Sequence, residues 1–311
     1  MNVFEFLGLP ATHRAKNKVV QMVKHFNEVP ASKRGYPLLG QVKKDGVYGL
    51  IVTYKGTTRI FGRTGEQLTS CGSLIRKFGE LMQDSAVYIA EICSLHPCSL
   101  EQLSGVVNPN RVNDLDLEQV LIAENLVAYL HDTLSISELI SGVSKLPYVE
   151  RHHRLSAELK GSSFEEHILP YSVIYDEASK DAFTAACLAA KEEGAVYKQP
   201  HEGWVAGHKG YRAMKEVNRV DYDLLCTRVE EGEGKYKGLV ANMYFRWKDG
   251  TEIKAMPGKG HTHESCRKMF LDPTIAVGRI WRVKGLMNSS KGKVRLPKVE
   301  EERHDKVTAD Y

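Results

Sequence analysis

Hydrophobic positions along the chain follow two periods, and the changes between them mark the elements. Over residues 12–27, Val19, Met22, Val23 and Phe26 fall at i, i+3, i+4 and i+7 with lysines on the other positions, which predicts one amphipathic helix. Pro30 and the run Lys33-Arg34-Gly35-Tyr36-Pro37 break that pattern and lead into a strand ending near Lys43. Leu, Ile, Val, Thr and Tyr dominate from Tyr48 to Phe61, predicting a hairpin that turns at Lys55-Gly56. A short helix is expected over 74–83, a buried strand over 87–91, a loop over 100–111 and a strand over 126–132. The clearest helical pattern runs from Glu177, with Phe183, Ala186, Cys187 and Ala190 at helical spacing and Gly194 as its stop.

Beyond Tyr222 the pattern changes to short strands and tight turns. Tyr222–Val229, Leu239–Trp247, Thr251–Met256 and Ile280–Val283 read as strands, with a helical interruption at 263–270. Such a run of about 90 residues suits a small Greek-key barrel of the OB type. With 311 residues the chain has room for two cores, and the expectation is an α+β chain of two domains, 1–221 and 222–311.

Composition alters this picture little. A hydrophobic content of 42% and a charged content of 26% are ordinary for globular proteins, and no apolar run approaches the length of a membrane span. The opening Met-Asn-Val-Phe-Glu-Phe has no basic run ahead of an apolar one, so no signal peptide is expected. The six cysteines form no Cys-x-x-Cys, which predicts no zinc site and a reduced, cytoplasmic setting. Charge is more informative: residues 222–311 hold 18 Lys and Arg against 13 Asp and Glu, an excess that suits a polyanionic partner or a solvated surface equally well.

Chemistry concentrates around Gln41-Val-Lys-Lys-Asp-Gly-Val-Tyr-Gly49, where Lys43 stands two residues before an Asp-Gly turn. A lysine amine attacks phosphorus only when deprotonated, and a partly buried position beside other cations favours that form. Asp-Gly then reverses the chain tightly. A second copy, Lys248-Asp249-Gly250, has Trp247 at the corresponding position and reads as an ordinary hairpin. Downstream, Glu91 ends an apolar strand, Glu202-Gly203 precedes Trp204-Val205, and Lys215 lies in Met214-Lys215-Glu216-Val217.

Lys-x-Asp-Gly, the hairpin, Phe61-Gly-Arg-Thr-Gly65, the acid at Glu91, Leu130-His131-Asp132, Leu146-Pro-Tyr-Val-Glu-Arg151, Glu202-Gly203 and the ending Arg303-His-Asp-Lys306 occur in that order. Together they resemble the covalent nucleotidyltransferases, a group that includes ATP-dependent DNA ligases, RNA ligases and mRNA capping enzymes, with the small phage-type DNA ligases most similar. The resemblance implies a nucleotidyltransferase (adenylation) domain of antiparallel sheets and flanking helices, followed by an OB-fold domain. It makes Lys43 the nucleophile that carries AMP. Gln41, Val42, Arg63, Glu91, His131, Lys209 and Lys215 would bind the nucleotide, Glu91 and Glu202 the metal, and Arg295, Arg303 and Lys306 the DNA. Three departures from the family pattern stand out: Tyr48 where arginine is frequent, His131 in an aromatic slot with Tyr129 as the alternative stacking partner, and one lysine instead of Lys-x-Lys, for which Lys209 or Arg219 is the candidate replacement.

The function implied is ATP-dependent sealing of 5′-phosphate/3′-hydroxyl nicks in duplex DNA by a monomeric cytoplasmic enzyme, in the host cell if phage-encoded. Its cofactors would be ATP and Mg²⁺, with Mn²⁺ as a substitute, and no membrane is involved. RNA ligation or capping-type transfer is the alternative closest in chemistry, and a non-catalytic OB-containing nucleic-acid-binding protein the alternative from another class.

Overall fold

The computed structural model describes residues 1–14, 19–288 and 292–311, and the chain divides into two compact units, Met1–Val217 and Asn218–Tyr311. Strands of the first unit are β1 (Met22–His25), β2 (Leu38–Lys43), β3 (Val47–Tyr54), β4 (Thr57–Phe61), β5 (Ser85–Ser94), β6 (Leu126–Leu134), β7 (Val143–Ser144), β8 (Ser172–Ile174), β9 (Gly194–Lys198), β10 (Trp204–Val205) and β11 (Lys209–Val217). They form one sheet in the order β1-β11-β9-β2-β8, a second in the order β4-β3-β5-β6, and the short pair β10-β7.

The hairpin expected between Tyr48 and Phe61 is β3 and β4. Its turn residues Lys55 and Gly56 both have positive φ, 51° and 69°, the conformation that a two-residue loop between right-twisted strands demands. In the first sheet, strand alternation sorts side chains onto two faces. Leu38, Ala195, Tyr197 and Met214 form a core with Phe26, Val29, Ile174 and Cys187, and Val42 and Phe183 pack against it. Cys187 and Phe183 come from the helix Glu177–Ala189, which therefore covers this face. Leu39, Gln41 and Lys43, with Val196 and Lys198 and with Ala213 and Lys215, belong to the other face.

Three local expectations are corrected. Met22–His25, assigned to a helix at 12–27, is a strand parallel to β11, because an edge of the sheet takes up its apolar residues; a four-residue helix, Ala11–Arg14, remains of that expectation, and residues 15–18 lie outside the described residues. Within 100–111, Leu100–Val106 is a helix rather than loop, started by a reciprocal capping box between Ser99 and Gln102. The helix from Glu177 ends at Ala189, so Gly194 opens β9 instead of stopping a helix.

The second unit is a closed barrel, β12 (Arg219–Glu231), β13 (Val240–Arg246), β14 (Glu252–Pro257), β15 (Ile280–Asn288) and β16 (Val294–Glu302), in the order β12-β13-β14-β16-β15. Only β14 and β16 pair in parallel, and the helix His263–Leu271 lies between β14 and β15 in sequence, as in an OB-fold. Leu224, Met243, Phe245, Ile253, Trp281 and Val283 fill it. The α+β class and the barrel thus match the sequence expectation. No described helix is long and apolar enough to cross a membrane.

Inside the first unit, one ion pair stands out because it has no water to fall back on. Arg151, 1% exposed and carried by the helix Tyr148–Glu158, grips Asp132 of β6 through two bonds of 2.8 and 2.9 Å. Removing one partner leaves a buried charge alone, so Arg151→Met is expected to cost about 3–5 kcal/mol of stability. Urea unfolding measures this, and a loss below about 1 kcal/mol would show the pair to be dispensable.

Candidate active site

Lys43 ends β2, and its row across the first sheet is Lys43, Gly194 and Val217. Gly194 has φ +147°, and a Cβ there would lie 2.2 Å from the Glu216 carbonyl, so the close approach of β9 to β11 requires glycine. That approach sets the residue before it, Glu193, beside the nucleophile candidate. The Glu193 N–H donates to the Lys43 carbonyl at 3.1 Å, and its carboxylate accepts from the Lys43 amine. Next door, Lys44 donates to Glu192 and lies 4.7 Å over the Tyr129 ring. Lys43 is thus held by a carboxylate, where the sequence suggested cationic neighbours.

Asp45-Gly46 follows, and here glycine answers to space alone: a Cβ on Gly46 would meet the Ile92 carbonyl at 2.4 Å. The tight contact lets the Gly46 N–H reach Glu91 on β5. Burial raises the Glu91 carboxyl to about 7; the charges of Lys43 and Arg63 and the Gly46 hydrogen bond work against that rise, while Glu193 adds to it. Lys43, Arg63, Glu91 and Glu193 therefore act on one small volume. Arg63 is exposed in the turn after β4.

Two rows along the same face lie Gln41, Val196 and Lys215, then Leu39, Lys198 and Ala213. Gln41 is 2% exposed; its amide donates to the Leu169 carbonyl at 2.8 Å and accepts from the Tyr148 hydroxyl at 2.8 Å. That hydroxyl also lies 3.0 Å from the His131 carbonyl, joining the two sheets. His131 is the extra residue of a β-bulge, since Leu130 and Asp132 take the consecutive partners Ala90 and Ile89. Its Nδ1 is 3.3 Å from the Lys198 amine, which lies 4.0 Å from the Tyr148 ring centre. Burial, then the Lys198 charge, lowers the His131 imidazole to about 3, and burial lowers Lys198 to about 8.

Several expected site residues sit elsewhere. Val42 points to the helix-covered face, leaving only its backbone toward Lys43. Lys209 is exposed at the far end of β11, eight residues from Val217 in the Lys43 row, a separation of about 26 Å along an extended strand. Glu202 ion-pairs with Arg212 at 3.0 Å, and its glycine is required because a Cβ on Gly203 would touch the Ser144 carbonyl at 2.1 Å. The carboxylate beside Lys43 is instead Glu193, which also begins a Glu-Gly-hydrophobic string, Glu193-Gly194-Ala195. Placed at a strand start after a helix, that string was a legible signal, and Lys198 could have been found from the same strand's alternation.

In the barrel, Arg303 donates to Asp223 at 2.5 Å and to Asp305 at 2.7 and 2.8 Å, and Lys306 pairs with Asp223 at 2.8 Å. Arg295 lies on β16 opposite Leu286, and Arg219 opens β12.

The fold has known counterparts. The fold is that of the ATP-dependent DNA ligases. A structure from work on Lig E DNA ligases superposes with a TM-score of 0.70 at 14% identity, covering 91% of this chain and 98% of that one. The ATP-dependent DNA ligase of bacteriophage T7, solved with ATP, gives 0.53 at 14% identity, over 90% and 97%. Another solved protein, Pmar-Lig_Pre, gives 0.74 at 16% identity, over 93% and 68%. In sequence the chain is similar to a probable DNA ligase of Anaeromyxobacter dehalogenans strain 2CP-C, 24% identical over 196 residues. That match covers 57% of this chain and 37% of the relative, so the chain spans well under half of the curated relatives it matches. No protein-family model matches the chain.

The raised Glu91 carboxyl has a measurable consequence. A folded-state value above the unfolded one means that the charged form costs stability above about pH 7, and that this cost fades as pH falls towards the ordinary carboxylate range. Glu91→Gln is therefore expected to raise Tm at pH 8 and to leave it nearly unchanged at pH 4.5. A gain that is equal at both pH values would contradict the burial of Glu91.

Proposed function

We propose that this chain is an ATP-dependent DNA ligase that works through a lysyl-AMP intermediate on Lys43. The observation that carries the reading is the convergence of Lys43, Glu193, Glu91 and Arg63 at the end of β2, on a fold shared with solved DNA ligases.

The amine of Lys43 attacks the α-phosphorus of ATP and pyrophosphate leaves. AMP then passes to the 5′-phosphate of a nick in duplex DNA, and the 3′-hydroxyl displaces it. Glu193 accepts the proton that the amine must lose before attack, because its carboxylate is the amine's hydrogen-bond partner. Arg63, exposed beside Glu91, offsets phosphate charge, and Lys215, on the same face as Lys43, reaches towards the α-phosphate. Val196, half exposed between Gln41 and Lys215, offers an apolar floor for the base.

A magnesium ion suits this donor set. Mg²⁺ takes one or two carboxylates together with substrate phosphates and water, and the pair Glu91 and Glu193 meets that need with hard oxygens. Among the described residues there is no cluster of three or more His, Cys, Asp or Glu that would hold a metal unaided. When bound, the ion supplies charge neutralisation at the phosphates. Glu193 thus takes the place that the sequence reading gave to Glu202.

The first unit is read as the adenylation domain and the barrel as the DNA-binding domain of a monomeric, cytoplasmic enzyme. Arg295 is a candidate phosphate contact. Arg303 and Lys306 would have to release Asp223 before serving as such.

Incubation with labelled ATP and Mg²⁺ tests the reading: the wild type and Lys44→Ala become labelled, and Lys43→Ala does not. An unlabelled wild type would leave a nucleic-acid-binding module, and labelling of Lys43→Ala would move the nucleophile. Within the same assay Glu193→Ala is expected to lose on the order of 10²-fold or more, against less than about threefold for Glu202→Ala. The opposite ranking would restore Glu202 to the metal. Sealing of DNA against RNA-containing nicks then separates DNA from RNA ligation.

A further inference from the structure

One polar pair in the first unit has no part in the chemistry above. Lys198, 7% exposed, sits on the face that carries Lys43, one row beyond Val196, and its amine contacts Nδ1 of His131. Below about pH 8, where Lys198 carries its charge, the ammonium group has donors and no acceptor, so Nδ1 receives that hydrogen bond. A neutral imidazole whose Nδ1 accepts carries its proton on Nε2. Nε2 makes no hydrogen bond among the described residues, and in this partly buried residue it is not a sealed, unsatisfied atom. The bulge in β6 that frees His131 from the strand register brings the ring to this place.

The spacing fits a nucleotide joined to Lys43. Lys198 lies four residues along β9 from Gly194, the Lys43 row, or about 13 Å, which is the span of a sugar and a base beyond a phosphate on the lysine. Polar atoms elsewhere in this seat are already committed: Gln41 to Leu169 and Tyr148, Tyr148 to Gln41 and His131.

We propose that His131, locked by Lys198 as the Nε2–H tautomer, is a specificity-determining donor that hydrogen-bonds an acceptor nitrogen of the adenine ring, rather than serving only as a stacking surface. This rests on the reading of the chain as an adenylate-forming enzyme, and it turns the histidine in an aromatic slot into a functional difference. The imidazole stays neutral because burial and the Lys198 charge both oppose its protonation, and the lock holds below about pH 8, where Lys198 keeps its charge.

Equilibrium binding of ATP and of its 1-deaza, 3-deaza and 7-deaza analogues to the full chain tests it, apart from any labelling assay. In the wild type one of the three analogues is expected to bind about tenfold more weakly than ATP, the worth of one unmade hydrogen bond. His131→Phe binds ATP about tenfold more weakly and no longer distinguishes that analogue, while Lys198→Met weakens the distinction. Because Lys198→Met empties a buried site and can unfold the protein, the ¹⁵N shifts of His131 in the wild type provide a second readout, with protonated Nε2 and unprotonated Nδ1 expected. A protonated Nδ1, an equal affinity for all four nucleotides in the wild type, or an unchanged profile in His131→Phe would each overturn the proposal. Nucleotide binding with the expected profile but without labelling would sink the ligase reading and leave the donor in place.

Discussion

The site depends on a backbone approach too close for any side chain. At Gly194 a Cβ would lie 2.2 Å from the Glu216 carbonyl, and at Gly46 2.4 Å from the Ile92 carbonyl. The first contact draws β9 against β11 and delivers Glu193 to Lys43. The second presses the turn after Lys43 against β5 and delivers an N–H to Glu91. Two glycines thus determine which carboxylates meet the lysine, although neither carries chemistry.

Around that point, opposite charges are gathered where water is scarce. Glu91 and Glu193 repel each other, and Lys43 and Arg63 hold them together, so the carboxylate of Glu91 is kept near neutrality by burial yet within reach of ionisation. Farther along the same face the polar groups are few and, apart from Nε2 of His131, engaged. Gln41, Tyr148, His131 and Lys198 form a network that ties the two sheets through contacts of 2.8–3.3 Å, beside the buried pair of Asp132 and Arg151. Partly satisfied, such a network would weaken the core; satisfied, it fixes the spacing between the sheets.

The barrel handles charge differently. Its surplus of positive residues is largely spent on internal pairs: Arg228 with Glu252, Lys254 with Glu230, Arg282 with Glu301, Lys284 with Glu300, and Arg303 and Lys306 with Asp223. Most are exposed and each adds little stability. Asp223 is the exception, being 7% exposed and fastened at its backbone to Asp310, so its two cations anchor the end of the chain to β12. Net charge in the sequence therefore overstates how many cations are available to a polyanion.

What the sequence determined by itself were features set by local rules. Alternation and turn chemistry were enough for the β3-β4 hairpin and four of the five barrel strands, and Lys-x-Asp-Gly was enough to single out Lys43 as a candidate, because these depend on neighbours a few residues away. Tertiary structure decided the rest. Met22–His25 has a helical spacing, but a vacant sheet edge outweighs that weak preference. Within the first unit Glu-Gly occurs twice, at 193 and 202, and both glycines are required by close contacts; only the pairing of β9 with β2 tells which glutamate meets Lys43, 150 residues away in sequence. His131 and Lys198 likewise are 67 residues apart, and a bulge, which no short pattern announces, brings them together. Such pairings are written in long-range backbone hydrogen bonds and steric exclusion, which act between strands distant along the chain and leave no periodic trace in either one.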